Sequence, residues 1–312
     1  MKRSVRTENH VGLQPISVLK HNLIARLEER SEELIRLLQI ESKLGNNIQY
    51  VSYNLPLVDR QTPYINDKGT IHIHETFLSY LWIISFTMFV LYEEGVAIPD
   101  QIKRGYKTHK NQDRALMNLT EELFDYAKSL VKNFSKWDIN YFPNPEFYDR
   151  DTDEGFYIER NNDLYVEAMN FILFHEIAHA ELEHINKKIS QNLSNESLKI
   201  LELEADSRAI NLLLENYKSL NATHLAIIIG LASIIFSGKS LVGGGEHPDI
   251  DKRIENALEI IQPTDDSPVW AFLVLFLKLW DKQFSHNFIE NSHYDSFKDF
   301  YYELIQQARK LS

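Results

Sequence analysis

Asn170-Phe171-Ile172-Leu173-Phe174-His175-Glu176-Ile177-Ala178-His179 is the stretch on which the reading of this chain turns. Histidines at i and i+4 stand one above the other on a helix, so both imidazoles can reach one metal ion. Glu176 follows the first of them, where a carboxylate can take a proton from a metal-activated water. With 12 histidines in 312 residues, a chance His-Glu-x-x-His is expected in roughly a few per cent of such chains. The neighbours sharpen the signal. Ala168, Phe171, Ile172, Ala178 and Leu182 share the face of the two histidines. Two imidazoles in an apolar stripe need polar partners or a metal, because unpaired buried polar groups are costly.

A catalytic zinc takes three protein ligands and keeps one position open. His184 does not fit as the third: the three-histidine metzincin pattern needs Gly at 182 and His at 185, where this chain has Leu182 and Ile185. In one continuous helix His184 falls with Glu181 and Lys188 on the polar face, a solvated position. The segment Glu202-Leu203-Glu204-Ala205-Asp206 is the better source. Its face through 202 reads Leu198, Glu202, Ala205, Asp206, Ala209, Leu213, and two carboxylates one turn apart on a buried face are expensive unless paired or metal-bound. Glu202 is therefore the ligand and Asp206 the acceptor that orients a ligand histidine. Glu204, with Arg208 at i+4, reads as a surface ion pair. The structural alternative is that Glu202 and Asp206 pair with an arginine or lysine from another helix.

Further on, Gly243-Gly244-Gly245-Glu246-His247-Pro248 leads into Asp249-Ile250-Asp251-Lys252-Arg253-Ile254. This places His247 on a flexible loop at a helix entry and Arg253 on the helix that follows.

Around these motifs the chain reads as mainly α with a small antiparallel β-sheet (α+β). Helices are expected near 18–44, 75–93, 113–133, 162–187, 197–219, 223–236, 249–262, 268–284 and 291–310. The stretch 51–74 is extended, with a hairpin about Asp67-Lys68-Gly69 and with His72 and His74 on a solvated strand face. Residues 134–161 form a long irregular connection. The whole of 1–312 reads as one unit: a helical segment at 1–49, a core at 50–262 and C-terminal helices at 263–312.

The chain has no cysteine, which excludes thiol catalysis and disulfide staples. Its net charge of −12 speaks against nucleic-acid binding. No apolar signal core follows the basic first residues. The run 77–92 (FLSYLWIISFTMFVLY) is short for a membrane span and lacks flanking Lys or Arg. It reads as a buried helix of a cytoplasmic protein, with peripheral association at the inner membrane as the alternative.

His175-Glu176-x-x-His179, Glu202-x-x-Ala205-Asp206 and His247-Pro248-x-x-x-x-Arg253-Ile254, in that order, resemble the signature of gluzincin zinc metallopeptidases of the CAAX-prenyl-protease and HtpX type. Glu246 stands where those families usually carry Thr. The segment His72-Ile73-His74-Glu75-Thr76-Phe77-Leu78-Ser79-Tyr80-Leu81-Trp82, and general likeness over residues 50–215, are similar to the Lit-type phage-exclusion peptidases. The resemblance implies a zincin-like core and one Zn2+ per chain on His175, His179 and Glu202. It makes Glu176 the general base, His247 a stabiliser of the oxyanion or gate of the open position, and Arg253 an orienting charge. It further implies a zinc endopeptidase acting on a protein or peptide substrate, such as a host translation factor during phage infection, under a regulatory activator. Two rivals stand beside it. One is a non-catalytic helical interaction protein with a structural zinc. The other is a repressor-cleaving peptidase, which would usually carry a helix-turn-helix domain that this acidic chain does not show.

Overall fold

The computed structural model describes residues 3–4, 14–51, 62–106, 113–215, 221–290 and 293–311. The expected extended run at 52–58, the last residues of the expected helix at 197–219 and most of the basic N-terminal segment lie outside them. The described chain is mainly helical with a small sheet, as its sequence implies.

A two-residue strand, β1 (Arg3–Ser4), is followed by a 3-10 turn at Pro15–Leu19 and by α1 (Lys20–Ile40), which buries Leu23, Leu27 and Leu38. Next come β2 (Gln49–Val51), β3 (Tyr64–Ile65) and β4 (Ile71–His74). β3 and β4 form the expected hairpin, with Tyr64 opposite His72 and Ile65 opposite Ile71. Its turn is held by Asn66, whose Oδ1 accepts from the backbone N–H of Lys68 at 3.0 Å and of Thr70 at 2.9 Å. Gly69 closes it at φ 72°, a left-handed conformation that glycine adopts without steric cost. The sheet is not purely antiparallel. β2 pairs parallel with β4, giving a mixed sheet in the order β2-β4-β3. The chain between β2 and β4 is long enough to reverse direction twice, which a parallel neighbour requires.

The expectation of a solvated face for His72 and His74 also fails. His74 is buried, and its Nδ1 accepts from Thr76 N–H at 3.1 Å, capping α2 (Glu75–Tyr92). His72 is half-buried, stacked on Tyr64 and bonded to Asn66. Strand β4 is the central strand and leads straight into a buried helix, so its polar face is covered.

α2 is apolar all round because it is enclosed all round, by α4 (Arg114–Leu130), α5 (Asp153–Glu181) and α10 (Pro268–Phe284). Through a π-helical turn at Glu93–Ala97 it continues into α3 (Ile98–Lys103). By length and composition the continuous helix Glu75–Lys103 could cross a membrane, but most of it is buried inside the protein.

The connection before α5 is shorter than expected. Residues 131–152 lie over the α2–α4 edge, with Trp137 buried against Trp82 and Tyr126. Within it β5 (Phe147–Tyr148) pairs with β1. α5 begins at Asp153, well before the expected 162, because Thr152 caps it by accepting from Gly155 N–H at 3.0 Å. A side chain at Gly155 would strike the Asp149 carbonyl, so the residue must be glycine for the chain to enter the helix here.

α5 is the central helix, packed by α1, α2, α7 (Asn195–Leu214) and α8 (Asn221–Ala232). α8 crosses closely because Gly230 leaves room for Phe171, which an added Cβ would meet at 2.7 Å. Between α5 and α7 lies the short α6 (His184–Ser190). α9 (Ile250–Ile261) packs on α7 and α8, and α11 (Phe297–Arg309) covers α10.

Candidate metal and catalytic site

The last two turns of α5 present His175, Glu176 and His179 toward α7, which answers with Glu202 and Asp206. One ligand atom each from His175, His179 and Glu202 lies within 4.8 Å of the others, and all three residues are buried. The two Nε2 atoms are 3.2 Å apart, and each lies 3.5 Å from a different oxygen of Glu202. Two imidazole nitrogens and a carboxylate converging on one point form a donor set suited to a divalent transition ion. The three residues fit a metal.

Asp206 lies behind His175, its Oδ1 2.9 Å from Nδ1 in a close but bent contact. Arg253, from α9, grips Asp206 with both ends of its fork, at 2.7 and 2.6 Å. Lys188, from α6, places Nζ 3.3 Å from Glu202 Oε1. The pairing of both α7 carboxylates with basic residues from other helices is therefore real, and it coexists with the convergence of the two histidines.

The electrostatics follow from burial and these partners. Burial acts against a proton on His175, but Asp206 and Glu202 outweigh it and raise the pKa to about 10. His179, buried and beside His175, is pushed down to about 2. Burial raises Glu176 to about 7. Burial acts against the charge of Asp206 too, yet Arg253 holds the group at about 2. Glu202 is likewise held well below the usual carboxylate range: burial opposes its charge, but His175 and His247 outweigh it.

Two sequence readings are overturned. His184 is not solvated but fully buried, with Nδ1 3.0 Å from His179 Nδ1. Glu204 does not pair with Arg208; it receives His184 Nε2 at 3.1 Å, while Arg208 forks onto Glu181 of α5 at 2.7 Å through both nitrogens. One backbone angle explains the first and brings His184 to Glu204. Glu183 adopts a left-handed φ of 58°, so α5 ends and α6 starts afresh with a new helical phase. A single helix carried through this point puts His184 on the wrong side.

His247 sits on the loop before α9, its side chain half exposed and Nδ1 3.3 Å from Glu202 Oε2. Gly243 makes this loop possible, since a Cβ there would overlap the carbonyls of His247 and Pro248.

His175, Glu176, His179, Lys188, Glu202, His247 and Arg253 all line one cleft of about 490 Å3. Its walls are the β3 segment from Thr62 to Asp67, the α6 residues Ile185, Lys188 and Ile189, and the glycine-rich loop. Deeper in, Phe77, Phe171, Leu231 and Ile234 make an apolar floor. Ile65 donates its backbone N–H to Glu176 Oε2 at 2.8 Å. Sequence reasoning missed Lys188, Ile65 and the His184–Glu204 pair. The first two carry no local signal, because only the tertiary fold brings them to the helix.

No curated protein matches the chain, and no solved structure does. A family model described as Peptidase U49 matches residues 71–273, a span that holds every site residue from α2 to α9 and well over half of the chain. The matched span contains the buried His175, His179 and Glu202, the group that could hold a metal ion. The chain belongs to the Peptidase U49 family.

Proposed function

We propose that this peptidase is a zinc-dependent endopeptidase of the gluzincin type, with His175, His179 and Glu202 as its zinc ligands. The observation that carries the reading is the convergence of these three buried ligand atoms within 4.8 Å at the wall of an open cleft. When bound, zinc would polarise the scissile carbonyl and lower the pKa of water. The protein's own residues do the rest. Glu176, next to His175 and facing the cleft, takes the proton from the attacking water and delivers it to the leaving amine. His247, on the side of the cleft formed by its glycine-rich loop, donates to the developing oxyanion. Asp206, gripped by Arg253, holds His175 in place.

The substrate, a protein or peptide, lies extended along β3, the edge strand of the sheet. Asn66 N–H turns inward to Thr70 O at 3.0 Å, so by strand alternation Ile65 N–H points outward into the cleft. Its present partner is Glu176; a substrate carbonyl would take that place as the glutamate turns to its proton. The Lit-type likeness and the peptidase family together favour a host protein as substrate, cut in a phage-exclusion response under an activating partner, in the cytoplasm. Zinc content decides the reading. Purified wild type should hold about one zinc per chain, and His179→Ala and Glu202→Ala should lose it. Full zinc in Glu202→Ala would break the ligand assignment, and no zinc in the wild type would remove the metallopeptidase reading.

A further inference from the structure

The two ligand imidazoles are supported in different ways. His175 turns Nδ1 to a carboxylate held by an arginine. His179 turns Nδ1 to another imidazole, that of His184, at 3.0 Å, and His184 in turn presents Nε2 to Glu204 Oε2 at 3.1 Å. His184 is 0% exposed, whereas the Glu204 side chain is 50% exposed. A row of three groups therefore runs from the candidate metal position to the surface of α7.

The protons in this row are set from its outer end. A carboxylate only accepts, so Glu204 places the proton of His184 on Nε2. A neutral imidazole then has a bare Nδ1, which can only accept. It takes the N–H of His179 Nδ1. That leaves Nε2 of His179 with its lone pair free, and Nε2 is the atom facing His175 and Glu202. The left-handed turn at Glu183 makes the arrangement possible, because it folds His184 back beneath the end of α5.

We propose that His184, backed by Glu204, is a positioning residue that sets the tautomer and ring angle of His179 for metal binding. The inference rests on the reading of His175, His179 and Glu202 as ligands. A His184 that merely filled space would tolerate an apolar residue with no consequence for the metal.

The test measures Zn2+ affinity by chelator competition, and the visible spectrum of the Co2+-loaded protein, for wild type, His184→Leu, His184→Asn and Glu204→Ala. Circular dichroism of the metal-stripped proteins checks the fold. Loss of such an outer partner typically weakens metal binding about 10–100-fold, and His184→Leu should do so with altered Co2+ bands. His184→Asn, whose Oδ1 replaces Nδ1 as the acceptor, should recover most of the affinity. Glu204→Ala should show a smaller loss in the same direction, since water can replace an exposed carboxylate. Wild-type affinity and an unchanged Co2+ spectrum in folded His184→Leu would overturn the proposal. If His184→Leu does not fold, Glu204→Ala decides, and a Kd equal to that of wild type overturns it. A wild type that binds neither ion removes the ligand reading and this inference together; a binding wild type with unaffected variants removes this inference alone.

Discussion

Ile65 and Glu176 are joined by a 2.8 Å hydrogen bond from a backbone N–H to a carboxylate oxygen, which ties the edge of the sheet to the helix that carries the metal-ligand pair. Glutamine keeps the acceptor and removes the base. Glu176→Gln should therefore keep the cleft and its zinc, and lose peptide hydrolysis by a factor of about 10^2–10^4. Zinc analysis beside a turnover assay checks this. Wild-type cleavage in the variant would show that another group takes the proton.

Lys188 competes with a metal for Glu202, since its ammonium stands 3.3 Å from Oε1. Lys188→Met should bind Zn2+ more tightly than wild type. The gain should stay below about fivefold, because a partly exposed ion pair contributes at most about 1 kcal/mol. Chelator competition reads it, and weaker binding would mean that Lys188 supports the ligand.

Arg253 is the partner that makes a fully buried Asp206 tolerable. Arg253→Ala leaves that carboxylate without its cation, a change that typically costs about 3–5 kcal/mol. Denaturant unfolding should show a clear loss of stability for Arg253→Ala. Asp206→Asn leaves Arg253 without its anion and should also lose stability, and in addition weaken zinc binding about 10–100-fold. Equal stability of Arg253→Ala and wild type would remove Asp206 from the buried charges that need a partner.

A bound metal stabilises the folded state by mass action, by about 2.7 kcal/mol at a hundred times its Kd. Thermal unfolding with excess Zn2+ should move upward in wild type and stay still in Glu202→Ala. A shift of the same size in both would place the ion elsewhere.

Burial pushes the phenols of Tyr50 and Tyr126 up to about 12. These acids stay protonated in the folded protein where the unfolded chain would ionise near pH 10. Their stabilising effect is complete below pH 10 and is lost as pH rises toward 12. Guanidinium midpoints at pH 8, 10 and 11.5 should fall above pH 10, and Tyr126→Phe should reduce the fall.

The parts of the fold legible in the sequence are those with a strong local period or punctuation. The stripe of α1, the hairpin about Asn66 and Gly69, and the apolar α2 and α8 all announce themselves. So do His175, Glu176, His179 and Glu202, because buried polar residues one turn apart contradict an apolar face. The misreadings sit where local rules give way to tertiary contact. The start of α5 was hidden among aromatic and acidic residues, although Thr152 with Asp153 and Glu154 is a capping signal. His74 reads as solvated because nothing in its own strand shows that its ring turns back to cap the helix that follows. The failure at His184 had the smallest cause, one left-handed residue at Glu183 in a stretch of good helix formers. The parallel pairing of β2 was not readable at all, since strand direction belongs to the connection and not to the strand.

The length of α5 gives its far end a bearing on chemistry. Twenty residues separate Gly155 from His175, about 30 Å of helix. A tilt of about 3° at the tight entry over Asp149 would move the histidine end by about 1.5 Å, whereas metal–ligand distances tolerate about 0.2 Å. The helix is a lever with its pivot far from the load. Asn161 and Asn162, bonded to Trp82 of α2 at 3.2 and 2.7 Å, and Glu167, held by Arg26 and Arg30, act as guides along its shaft. Substitutions there should loosen ion binding without touching a single ligand, and the accuracy of the site is in this sense distributed along the whole rod.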